Sequence, residues 1–205
     1  MRVVYVPPHF RVDADAAWRI VSDAGAGVLV ISTPKGLASV FAPVIVSDDR
    51  GTLTSHVARA NSWWRSVEPD TEVLALFLAA SAYVTPSNYP SRVENPNTVP
   101  TWNYVAAEVH GRATIHTDLE WKLDQVSTLT RHFEAGRDPE WRIDDLDEHY
   151  RDQQLTAIVG VEITVTSIEG KEKLSQNRPD VDRENVRDQF AVGSLAERTV
   201  AKRME

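Results

Sequence analysis

The chain has 205 residues, 42% of them aliphatic or aromatic and 25% charged, the composition of an ordinary folded protein with room for a sizeable core. Thirty acidic side chains against 22 basic ones leave a formal charge of -8, which opposes broad adhesion to nucleic acid. The absence of cysteine excludes disulfides, thiolate catalysis and cysteine-ligated metals; with no apolar run of membrane length and no leader-like pattern in Met1 to Phe10, the expected compartment is the cytoplasm.

Asp13 is placed to cap a helix running to about Ala24, with Ala16, Ala17, Ile20, Val21 and Ala24 on one face and Gly25 at its end. Val28 to Thr33 and Leu37 to Ser47 read as a hairpin about Pro34-Lys35-Gly36, and Asp48-Asp49-Arg50-Gly51 turns the chain into a third strand, Thr52 to His56. A short helix is expected over Asn61 to Val67, then a buried strand over Glu72 to Ala80 that Ala82 to Thr85 extends or follows. Pro86 to Pro100 holds four of the eleven prolines and three asparagines, the composition of a long surface loop.

Thr101 to Thr117 alternates as a strand, with Trp102, Tyr104, Ala106 and Glu108 on one face and Gly111 as a bulge. Thr117-Asp118-Leu119-Glu120 has the spacing of a capping box, and Leu119, Leu123, Val126, Leu129 and Phe133 follow at helical intervals. A second helix over Asp144 to Gln154, a strand over Ile158 to Ile168, and short helices over Asp182 to Phe190 and Leu195 to Arg203 complete the chain. Strands in mainly hairpin sequence, interrupted by helices, predict a mainly β, α+β fold built on a small antiparallel β-barrel, not a doubly wound sheet. The expectation is a single domain over residues 1–205, with a helical extension from about 180 to the end.

The stretch that carries chemistry is Leu53 to Trp64. Its Thr54, Ser55, His56, Arg59 and Asn61 converge where a strand gives way to a helix, and such hydroxyls, an amide, backbone N–H groups and a guanidinium suit a phosphate. Arg59 has a second reading, as a surface cation that caps the short helix or pairs with Glu68. Trp102, behind the proline-rich loop, either packs an interface or stacks on a ligand. Lys171, Lys173, Arg178 and Arg183 make a basic turn, which is either solvated or faces an anion. His110 and His116 lack a third ligand at metal-like spacing, and no Gly-x-Gly-x-x-Gly, Walker-type or Gly-x-Ser-x-Gly motif is present, so no metal site or hydrolase is expected.

Four separated segments, Tyr5-Val6-Pro7-Pro8-His9-Phe10, His56-Val57-Ala58-Arg59-Ala60-Asn61-Ser62-Trp63-Trp64, Val99-Pro100-Thr101-Trp102-Asn103-Tyr104 and Lys173-Leu174-Ser175-Gln176-Asn177-Arg178, stand in an order that resembles the PaiB-like family of FMN-binding transcriptional regulators. The resemblance spans nearly the whole chain. It implies a split β-barrel of the pyridoxamine-phosphate-oxidase type and a homodimer with FMN at the subunit interface. Carried over by position, it implies that Thr54 and Arg59 hold the FMN phosphate with His56, Ala60 and Asn61 adjacent; Ser55, Trp102, Asn103, Gln176 and Arg178 complete the expected cofactor-binding set. Under the resemblance, the hydrogen-bonding groups of Ser175, Gln176 and Asn177 suit the polar edge of a flavin.

Two functions follow from it: a transcriptional regulator biased by FMN, and an FMN-dependent oxidoreductase acting on a small molecule, with the Pro86 to Pro100 loop as a lid. A flavin-free dimer whose cleft takes haem or another anionic cofactor is a third. The net acidity and the lack of a clear helix-turn-helix make a protein partner the easier route to regulation than direct reading of DNA.

Overall fold

Alternation with a period of two dictates the strands. In β1 (Ala26–Thr33), β2 (Gly36–Val46) and β3 (Thr52–Ala58), the side chains of Leu29, Ile31, Ala42, Val44, Leu53 and Val57 are buried while their neighbours turn outward. The computed structural model describes residues 5–205; Met1 to Val4, part of the segment read for a leader, lie outside it. Three longer strands follow, β4 (Glu72–Val84), β5 (Thr101–His116) and β6 (Ile158–Lys173). Hydrogen bonding in the order β1-β2-β3-β6-β5-β4 closes the sheet into an antiparallel barrel, as the hairpin pattern predicts.

One detail of the strands settles an open alternative, and one differs from expectation. The segments read at 72–80 and 82–85 are one strand whose inward phase slips, with Val73, Ala75 and Phe77 buried and then Ala80, Ala82 and Val84, the mark of one inserted residue. Gly111, by contrast, is no bulge, because burial alternates without a break from Asn103 to Ala113. A Cβ at Gly111 would lie 2.5 Å from both Ile163 Cγ2 and Thr164 O, so the glycine is there for the close approach of β6.

The described residues pack as two compact units, one of Gly25–Leu76 and Val109–Ser167, the other of residues 5–24, Phe77–Glu108 and Ile168–Glu205. The first holds β1 to β3 with α2 (Leu119–Glu134) and α3 (Glu148–Thr156); the second holds α1 (Ala14–Ala24), α4 (Asp180–Ala191) and α5 (Leu195–Ala201). Asp13 Oδ1 accepts from Ala16 N at 2.7 Å, and α1 buries Ala17, Trp18, Ile20 and Val21. At the start of α2 the cap is Asp118, whose Oδ1 accepts from Trp121 N at 2.8 Å. The helix expected over Asn61 to Val67 shrinks to a single 3-10 turn, Trp63–Ser66, too short a run for an α-helical nucleus.

α2 forms where it is expected, with buried positions that its apolar intervals do not announce. Its apolar stripe stays on the outside or at the margin, with Leu119 and Phe133 exposed, and the positions it buries are Lys122 and Gln125. In this unit the Trp121 indole stacks on the His116 imidazole with centroids 4.1 Å apart and planes 2° from parallel, and both lie over Gly160 of β6. A Cβ at position 160 would overlap the Trp121 ring and stand 3.2 Å from His116 Cβ. Gly160→Ala should therefore destabilise the protein by about 1–3 kcal/mol through overpacking, read as a lower urea midpoint with an unchanged slope.

Candidate functional site

β3 pairs with β6 from Thr52 opposite Thr164 to Ala58 opposite Ile158, and this register sets the direction of every side chain near its end. Ser55 turns inward, and its buried hydroxyl donates to Pro43 O at 2.6 Å, bracing β3 to β2. Thr54 and His56 turn to the other side, where the Thr54 hydroxyl bonds to no other described residue. His56 Nδ1 lies 2.9 Å from Gln125 Oε1 of α2. Burial holds the imidazole below its ordinary titration range by disfavouring the charged form, against an opposing effect of the Gln125 bond.

Past the strand, Arg59 N donates to Ala157 O at 2.8 Å, while its guanidinium donates through Nε to Thr156 O at 2.7 Å and through Nη2 to Ile158 O at 3.4 Å. Lys122, only 1% exposed, donates from Nζ to Leu155 O at 2.7 Å. Two cations thus close on the carbonyls that end α3, where unsatisfied acceptors and the negative end of the helix dipole favour them. Burial, then the neighbouring Arg59 charge, lowers the Lys122 ammonium from its ordinary range. Among the described residues no ion pair joins Arg59 to Glu68. Ala60 is exposed, and the half-buried Asn61 accepts through Oδ1 from Trp63 N at 2.9 Å, opening the 3-10 turn.

Six of the predicted site residues, Thr54, Ser55, His56, Arg59, Ala60 and Asn61, are therefore gathered at one strand end in one unit. The other four belong to the second unit. Asn103 is fully buried and exchanges hydrogen bonds with Ser175, donating from Nδ2 at 3.0 Å and accepting from Oγ at 3.2 Å. Gln176 spends both ends of its amide on its own turn, accepting from Leu174 N and donating to Glu172 O, each at 2.7 Å. The Arg178 guanidinium lies 4.5 Å from the centroid of the Tyr89 ring. Trp102 stands half exposed with its ring against Tyr83.

The loop read as a lid is pinned in this unit. Its two 3-10 turns, Pro86–Asn88 and Pro90–Val93, are held to α4 by the buried Asp182 carboxylate, which accepts from Ser91 N at 2.9 Å and Ser91 Oγ at 2.7 Å, and by Asn185 Nδ2 donating to Asn88 O at 3.0 Å. Sequence reasoning did not single out Lys122, Gln125 or Asp182. Their burial is offset by partners far along the chain, and the only local signal is that Lys122 and Gln125 share a helical face.

The His56 shift has a thermodynamic consequence. The unfolded histidine titrates near 6.5 and the folded one lower, so between those values the unfolded state binds more protons, and stability is lost as pH falls from about 6.5 toward the folded-state pKa. His56→Asn should flatten the stability profile just below about pH 6.5, measured by urea unfolding at each pH, and a wild-type slope in the variant would contradict it.

Among the described residues there is no cluster of three metal-ligating side chains and no helix long and apolar enough to cross a membrane. The family model described as "Putative FMN-binding domain" matches residues 4–167. A curated relative, "Protease synthase and sporulation protein PAI 2" of Bacillus subtilis (strain 168), is 32% identical over 190 residues, covering 91% of this chain and 89% of its own. Among solved structures, the FAD and heme binding protein from Mycobacterium smegmatis aligns with a TM-score of 0.61 at 14% identity, over 91% of this chain and 81% of that one. The flavocytochrome Anf3 from Azotobacter vinelandii aligns at 0.58 and 11%, over 90% and 75%. At such identities the structures speak for the fold. The family match and the Bacillus relative, each spanning most of the chain, show that the protein belongs to the PaiB-like family of FMN-binding split barrels and that its cofactor is FMN.

Proposed function

We propose that the protein binds FMN at the interface of a homodimer in the cytoplasm and regulates transcription through a protein partner. Its whole length would serve as one FMN-binding domain, with residues 180–205 as a helical extension. FMN, when bound, supplies any redox chemistry; the residues of this chain bind and orient it.

The observation that carries the reading is the gathering of Thr54, His56, Arg59, Ala60 and Asn61 at the end of β3. A guanidinium has five N–H donors, and the two that Arg59 places on carbonyls leave others for a phosphate, next to an uncommitted threonine hydroxyl. In the other unit, Asn103, Gln176 and Arg178 support it indirectly, by shaping the turn beside Trp102.

A second copy is supported by an uncovered sheet face. Phe41 pairs with Val28 and Val28 with Leu76, so their outward side chains form one apolar row across β2, β1 and β4, with Phe41 70% exposed. A row of this kind across three strands is costly to leave in water, and an identical face offers a cover of matching shape. The regulatory part rests on family resemblance and on the name of the Bacillus relative. The rival reading, an FMN-dependent oxidoreductase, is favoured by the half-exposed aromatic rings of Tyr83 and Trp102, which a small molecule can approach.

Purified protein should show a flavin spectrum and release FMN on denaturation. Arg59→Ala, with its fold verified by circular dichroism, should weaken FMN about 10- to 100-fold and leave riboflavin, which lacks the phosphate, unchanged; equal losses for both ligands would refute the phosphate assignment. Phe41→Glu should convert a dimer into a monomer by light scattering. Turnover of a nicotinamide cofactor in air would favour the oxidoreductase, and a salt-dependent mobility shift on promoter DNA would favour direct regulation.

A further inference from the structure

We propose that the outward sheet face of the unit containing Trp102 binds a small planar aromatic anion, separate from FMN, with its ring against Trp102 and Tyr83 and its carboxylate or phosphate at Lys173.

The strands build this face by alternation. Asn103 and Val105 of β5 point inward, so Trp102 and Tyr104 point outward, with Tyr83 of β4 on one side and Lys171 and Lys173 of β6 on the other. Tyr83 and Trp102 are 50% and 49% exposed, and their rings meet at 6.0 Å with an interplanar angle of 62°. Two half-exposed rings at that angle form an open corner, which offers a ligand ring one face to stack on and one edge to meet.

The cation beside this corner is fixed in place. Lys173 Nζ donates to Trp102 O at 2.7 Å and to Thr101 Oγ1, which holds the ammonium beside Trp102 and leaves its third N–H. Lys171 Nζ stands 5.2 Å from the centroid of Tyr104. Burial, then the neighbouring charges of Lys171 and Arg178, lowers the Lys173 ammonium from its ordinary range. An anion bound at Lys173 would oppose that repulsion.

The same face also carries acids. Glu108 and Glu169 lie at its far end, where with Val6, Tyr104 and Lys171 they line a cavity of about 90 Å³. The anion is placed at the other end, where Lys173 Nζ is held beside Trp102. The net acidity disfavours a polyanion such as single-stranded nucleic acid, so the ligand is a small molecule.

The test is calorimetric titration with 2-naphthoate, a planar aromatic carboxylate, on both FMN-loaded and flavin-free protein. Binding to both forms is expected, weakening with salt, with Lys173→Gln lowering affinity about tenfold and Lys173→Arg restoring most of it. Trp102→Ala should weaken naphthoate and uncharged 2-naphthol alike, whereas Lys173→Gln should spare 2-naphthol. No binding of naphthoate at millimolar concentration, or the same affinity in Lys173→Gln, would overturn the proposal. So would loss of naphthoate binding on FMN loading, which would give the face to the flavin itself. A protein that never takes up FMN is recognised separately by its spectrum and leaves the flavin-free titration intact.

Discussion

The pairing of β3 with β6 is the constraint on which the candidate phosphate site depends. It joins the amino-terminal meander to a strand about a hundred residues later and, with β1 against β4, closes the barrel. Because strand side chains alternate, one register decides that Ser55 braces the interior while Thr54 and His56 face outward. A slip of one residue would exchange those roles and place a serine where the histidine now meets Gln125. The same pairing delivers Ile158 opposite Ala58, which brings the end of α3 within reach of the Arg59 guanidinium.

That end of α3 is an electrostatic node. Leu155 O takes the Lys122 ammonium, and Thr156 O and Ile158 O take Arg59, so two cations share a small cluster of carbonyls. A buried ammonium without a partner would be costly, and the helix terminus provides one at 2.7 Å. The arrangement ties α2, α3 and the β3 terminus together, and it gives Arg59 a fixed position from which its remaining donors can meet a phosphate. Rigid placement of a charged group lowers the ordering cost of binding an anion.

Much of the architecture was legible in the chain itself. The alternation in 28–33, 37–47, 52–56 and 101–117 marks strands that do form, and Asp13 caps its helix as expected. Where the reading failed, a distant partner or a short segment was responsible. The apolar intervals of α2 mark the helix but not its buried positions, which stacking of Trp121 on His116 and the bond from Lys122 to Leu155 O settle. The proline-rich loop looked free because nothing in it announces that Asp182, 91 residues later, holds Ser91. Asn61 to Val67 has helical composition but only enough length for one 3-10 turn.

The sequence by itself determined the strand-forming segments, the family and hence FMN, because period-two alternation and short motifs are carried by neighbouring residues. Only the tertiary structure decided which polar groups are spent inside the fold and which remain at its surface. The guanidinium of Arg59 bonds a carbonyl 97 residues away and the amide of Gln125 reaches a histidine 69 residues back. The free energy of burying a polar group depends on the partner that satisfies it, and that partner is chosen by the packing of distant segments.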